Sequence, residues 1–107
     1  MLEQAYQLSR GNEKAVEKVL FDENVNYLHM VFPQNEGLPI HNANSTVYMT
    51  VVRGILSIGL DEQEIHEYEA GTLLKIPYAT KMNVRNLHSS PLELIVVKVP
   101  APETRGN

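Results

Sequence analysis

Four histidines and no cysteine bound the chemistry open to this chain. Without a thiol there is no thiolate metal site, no Cys nucleophile and no disulfide framework. Of the histidines, His41 stands at the entrance of an apolar strand, in the stretch Gly37-Leu-Pro-Ile-His41-Asn-Ala-Asn-Ser-Thr-Val47-Tyr-Met-Thr-Val-Val-Arg-Gly54. An imidazole can donate or accept a hydrogen bond, move a proton or ligate a metal. His66 lies among Glu64, Glu67 and Glu69, which reads as a solvated hairpin, and His88 precedes a Ser-Ser-Pro turn; both belong at the surface. His29, near the end of the strand that Pro33 stops, is a candidate to face a cavity and stand in for a missing ligand. No nucleophile elbow, phosphate-cradling Gly-rich loop or close carboxylate pair emerges from the spacings. An enzyme would have to be built from His41 and little else.

The elements that must position these side chains are strands. Val25 to Phe32 is rich in β-branched and aromatic residues and ends at Pro33, which cannot donate to a ladder. Val47–Val52 runs through the Arg53-Gly54 bend into Ile55–Leu60; Asp61-Glu-Gln turns into Glu64–Tyr68, which alternates polar and apolar. Thr72–Ile76 stops at Pro77, and Met82–Leu87 turns through His88-Ser-Ser-Pro91 into Leu92–Val99. Residues 14–20 fit either a helix stripe or a strand and are read as strand, like the segments that follow; residues 1–8 are read as a short lead-in strand. Short strands at roughly ten-residue spacing, with turn residues between, predict an all-β sandwich or barrel.

At 107 residues the chain makes one domain, placed at residues 1–99, with residues 100–107 a flexible tail. Nine basic against thirteen acidic residues give a net charge of −4 with no basic cluster, which argues against nucleic acid. No apolar run is long enough for a spanning helix and the first ten residues lack a signal peptide's apolar block, so a soluble cytoplasmic protein is expected, without membrane contact.

Residues 37–86 resemble the cupins, small jelly-roll barrels known by two motifs. The first motif holds a His-x-His and a glutamate between glycines; the second holds a glycine, a Pro-x-Gly, a histidine and an asparagine. Gly54, Gly71, Pro77 and Asn86 fall at the scaffold positions of that pattern, whereas its first glycine falls at Asn35 and its Pro-x-Gly glycine at Ala79. The resemblance implies a cupin-like double-stranded β-helix. It also implies a divalent-metal site on four donors, of which His41 alone remains: the other positions are Ala43, Val47 and Met82.

Three or four N or O donors are needed to hold a first-row divalent ion against water, so no cofactor is expected; a divalent metal is disfavoured, with His41 a ligand only in some non-standard site. Parity along the strand puts Ala43, Val47 and Met49 on one face, and with His41 and Met82 they are the expected lining of a barrel pocket. Asn42, Asn44, Ser45 and Thr46 supply short polar groups at its mouth, used first of all by the turn itself. The function expected is a non-catalytic small-molecule-binding or accessory module, forming a homodimer to cover apolar strand faces at Val16–Phe21 and Leu92–Val99. The alternatives are a metal-dependent oxygenase or isomerase that recruits His29 or Asn44, and a dimeric structural subunit with a filled barrel.

Overall fold

A computed structural model describes residues 2–102. Among these residues there are nine strands and no helix: β1 (Ala15–Phe21), β2 (Asn26–Phe32), β3 (His41–Asn42), β4 (Thr46–Arg53), β5 (Ile55–Leu60), β6 (His66–Glu69), β7 (Leu73–Ile76), β8 (Lys81–Arg85) and β9 (Leu92–Val99). They build two antiparallel sheets, ordered β1-β2-β9-β4-β7 and β3-β8-β5-β6. Apart from the hairpins β1-β2 and β5-β6, neighbours in a sheet are not consecutive in sequence, as in β2 beside β9 and β3 beside β8, so the chain winds between the layers as a double-stranded β-helix does.

The alternation read in the sequence sorts side chains between core and surface. Leu28, Met30 and Phe32 of β2, Val47, Met49 and Val51 of β4, Leu56 and Ile58 of β5, Val84 of β8 and Leu92, Leu94 and Val96 of β9 form one buried cluster. Burial of such side chains is the main term holding a small barrel closed, about 1.5–3 kcal/mol for each fully buried large aliphatic. The segment read as strand over residues 14–20 is β1, which runs from Ala15 to Phe21, and β6 lies at a sheet edge, where its Glu67 and Glu69 face solvent and discourage edge pairing.

Two expectations change. Residues 2–14 form no strand: none of them pairs with the free edge of β1 or any other edge, and they run outside the sheets as an arm that bends at residues 11–13. Of the tail, residues 103–107 lie outside the described residues, but Pro100 and Ala101 are held: the Ala101 N–H donates to the Asn24 carbonyl at 2.9 Å and the Ser45 hydroxyl to the Pro100 carbonyl at 2.5 Å.

The scaffold positions have clear physical roles. Gly54 has φ +82°, and a Cβ there would stand 2.3 Å from the Pro91 carbonyl oxygen, so only glycine makes this bend. Asn35 and Ala79 keep the left-handed backbone, at φ +69° and +71°, although neither is glycine. Asn86 is fully buried; its Nδ2 donates to the carbonyls of Phe32 and Ser90 and its Oδ1 accepts the His88 N–H, all within 2.9 Å. One side chain thereby ties β2 to the turn between β8 and β9.

Candidate functional site at the barrel mouth

The segment from Gly37 to Ala43 lies against β8 as an interrupted strand. Leu38 donates to the Val84 carbonyl at 3.0 Å, Gly37 bridges Arg85, and His41 pairs with Met82. A Cβ on Gly37 would lie 2.1 Å from the Val84 carbonyl oxygen, so the two backbones approach here as closely as glycine allows. Past β3, the Ala43 N–H donates to the Thr80 carbonyl and the Ala79 N–H returns a bond to the Ala43 carbonyl, each 2.8 Å. The left-handed turn at Ala79 is what lets the β7–β8 loop close this pair.

His41 is half-buried at the rim, its Nδ1 donating to the Pro39 carbonyl at 2.8 Å, which leaves Nε2 free to meet a ligand or solvent. Behind it, Ala43, Val47, Met49 and Met82 are at most 3% exposed and belong to one apolar core cluster that forms a wall; Val47 and Met49 share the inner face of β4, whereas Ala43 lies between β3 and β4 and not on the strand expected to carry it. Met82 pairs with His41 on one side and Leu60 on the other, placing the three in a row across the smaller sheet. Beyond Leu60 opens a cleft of about 520 Å³ lined by Asp61, Glu62, Gln63, Pro77 and Thr80. Sequence reading did not mark that cleft; the turn residues Asp61 and Pro77 were its one visible signal. Asp61 also serves its own loop, accepting the Lys81 N–H at 2.8 Å.

Ser45 spends its hydroxyl on Pro100, while Asn42 and Asn44 are exposed. His66 is exposed, and His88, partly exposed, bonds Glu67 at 2.6 Å. That contact, with the Ser57 hydroxyl, holds the Glu67 carboxyl below its ordinary range.

The donor set does not fit a divalent ion. Of the four positions the cupin pattern gives to ligands, three carry side chains with no N or O donor, and among the described residues no group of three or more His, Asp or Glu could hold a metal. His29 does not stand in. It alternates with the core residues Leu28 and Met30, so it faces the outer side of the five-stranded sheet. There it is fully buried, with Nδ1 2.6 Å from Glu17 Oε1 and Nε2 2.6 Å from Glu93 Oε2. Arg53 Nε donates to the other Glu93 oxygen at 3.0 Å.

Two antiparallel sheets wound on a shared apolar core, with the motif glycines and Asn86 at the turns, define a double-stranded β-helix barrel. The comparisons with known proteins agree. No family model matches. An uncharacterised protein of Methanocaldococcus jannaschii is 36% identical over 104 residues, covering 96% of this chain and 90% of that one. A crystal structure from the same organism, of an RmlC-like cupin family protein with a double-stranded β-helix fold, superposes with a TM-score of 0.92 at 37% identity, covering 95% and 94% of the two chains. A cupin superfamily protein of Desulfitobacterium hafniense shares the fold at a TM-score of 0.74 and 12% identity, over 87% of this chain and 83% of that one. The chain belongs to the RmlC-like cupin family.

Proposed function

We propose that this cupin is a non-catalytic small-molecule-binding module that holds no divalent metal at the family's usual position. The supporting observation is the apolar wall in which Ala43, Val47 and Met82 stand where the pattern puts donors and Met49 lies beside them, with the His41 imidazole at its rim. Such a wall favours a small apolar or aromatic ligand with one polar group for His41 Nε2, and polarizable methionines adapt to its shape. The cleft beyond Leu60 offers an approach from the opposite side of Met82.

The methionine methyls give a direct test. Fragments of this chemistry, screened by ligand-detected NMR, are expected to shift the Met49 and Met82 methyl signals and to bind more weakly to His41→Ala. Fragments that bind without moving either methyl place the site elsewhere.

The near-complete burial of the four wall residues favours a second reading, a filled barrel acting as a structural subunit. In that case no fragment reaches the methyls at all. Either way we take the working form to be a cytoplasmic homodimer, supported by the exposed Val16 and Phe21 on the sheet-edge strand β1. Sedimentation at micromolar concentration distinguishes dimer from monomer. Among the described residues no helix is long and apolar enough to cross a membrane.

A further inference from the structure

Residues 9–12 of the N-terminal arm are tied to the barrel by one charged network. The Ser9 N–H donates to Glu17 Oε1 at 3.1 Å, and Arg53 donates through Nη1 to Asn12 Oδ1 at 2.6 Å and through Nη2 to the Gly11 carbonyl at 2.8 Å. Among the described residues, no backbone–backbone hydrogen bond outside the strands involves the arm. Among the described residues the two clamps, Glu17 on β1 and Arg53 on β4, are joined by side-chain hydrogen bonds through His29 and Glu93. Beyond the clamps, Tyr6 and Leu8 of the arm form one side of an apolar cleft of about 330 Å³ whose other side is Val19, Leu20 and Tyr27.

A carboxylate only accepts, so an imidazole bonded to carboxylates through both nitrogens must carry a proton on each and is the imidazolium. Removing one proton leaves a lone pair facing a carboxylate oxygen at 2.6 Å, and one glutamate must turn away. If Glu17 turns, Ser9 loses its acceptor. If Glu93 turns, the guanidinium loses the bond that aims it at Gly11 and Asn12.

We propose that His29 is a proton-operated latch: charged, it holds the N-terminal arm across the outer face of the five-stranded sheet; neutral, it releases the arm and uncovers the apolar cleft of Val19, Leu20 and Tyr27. The charged groups that face it are Glu17 from β1, Glu93 from β9 and, through Glu93, Arg53 from β4. Ile95, opposite on β9, is apolar; the arm's bonds to the network come from the uncharged Ser9 N–H, Gly11 carbonyl and Asn12 amide, while its charged Arg10 and Glu13 are exposed. Burial acts most strongly on His29 and opposes its charge, but the hydrogen bonds and charges of Glu17 and Glu93 together outweigh it and raise its pKa above the ordinary 6.5. The latch therefore closes below that raised value and opens as pH rises through it.

The absence of native cysteine makes the arm simple to label. A nitroxide on Ala5→Cys, exposed in the arm, reports its mobility by electron paramagnetic resonance from about pH 5 to about pH 9, while NMR follows the His29 ring nitrogens over the same range. The expected result is a broad, immobilised spectrum that sharpens with a midpoint above 6.5 matching the His29 titration, and no such transition in His29→Gln. Should His29→Gln not fold, Glu17→Gln serves: its arm is mobile at lower pH and its His29 midpoint moves down. Mobility that stays flat while His29 titrates, a transition that persists in His29→Gln, an unmoved midpoint in Glu17→Gln, or a His29 that does not titrate in this range would each overturn the proposal.

Discussion

On the inner face of the five-stranded sheet, Val47 and Met49 of β4 pack with Met82 of β8 in a wall that contains no donor; on the outer face of the same sheet, His29, Glu17, Glu93 and Arg53 concentrate charge at a single buried imidazole. The cupin pattern expects the reverse, a polar socket inside. Side chains one position apart on a strand point to opposite faces, so a single sheet keeps the two environments apart and they share no side chain. The inner wall gains from excluding water, and an uncompensated charge there is costly. The outer network works because every charge has a partner: each His29 nitrogen meets a carboxylate, and Glu93 meets Arg53 as well.

The sharpest way to break this contrast is to return a donor to the wall. Val47→Glu buries a lone carboxylate among apolar side chains and should cost about 3–5 kcal/mol in urea unfolding. A loss below about 1 kcal/mol would mean that the wall is wet. Restoring all donors together, in Ala43→His/Val47→Glu/Met82→His, should make the lost stability recoverable by added nickel.

Next in size is Asn86→Ala, which strips the partners of the Phe32 and Ser90 carbonyls and the His88 N–H and should cost about 2–3 kcal/mol, read the same way. It tests whether the motif survives here as scaffold.

The outer network predicts a pH profile. The stability contributed by His29 is fully present below its ordinary pKa and is lost as pH rises through the raised one. Hydrogen bonds from His29 foremost lower the pKa values of Glu17 and Glu93, so their contribution is present above the ordinary carboxylate range and is lost as pH falls through the lowered values. His29→Gln should cost about 1–2 kcal/mol in the plateau between and nearly nothing once wild-type His29 is neutral. Denaturant titrations across pH check both limbs.

The smallest effect is a gain. Ala79 holds φ +71° against its Cβ, so Ala79→Gly should stabilise by about 0.5–1 kcal/mol in spite of the added unfolded-state freedom.

Strand positions were legible because alternation, Gly and Pro punctuate the chain, and the parity of Val47 and Met49 followed from period two alone, whereas Ala43 lies off β4 and is placed by its bonds to the β7–β8 loop. The lead-in strand at residues 1–8 was not: its composition suits a strand, but β1 leaves a free edge that the arm does not pair with, and Tyr6 and Leu8 lie instead beside Val19, Leu20 and Tyr27, a contact that composition does not carry. The setting of His29 was half legible. Period two between Leu28 and Met30 turns it from the core, against the expectation that it could face a cavity, and its partners lie 12 and 64 residues away and meet it only through the β1-β2 and β2-β9 registers. The cleft beside Leu60 needed the same long-range pairing, of Leu60 with Met82.

The measurement closest to the central claim is elemental analysis of the purified protein, before and after incubation with manganese, iron, nickel, copper and zinc salts. The apolar wall predicts substoichiometric metal in every case, unchanged in His41→Ala. One ion per chain that disappears in His41→Ala would contradict it.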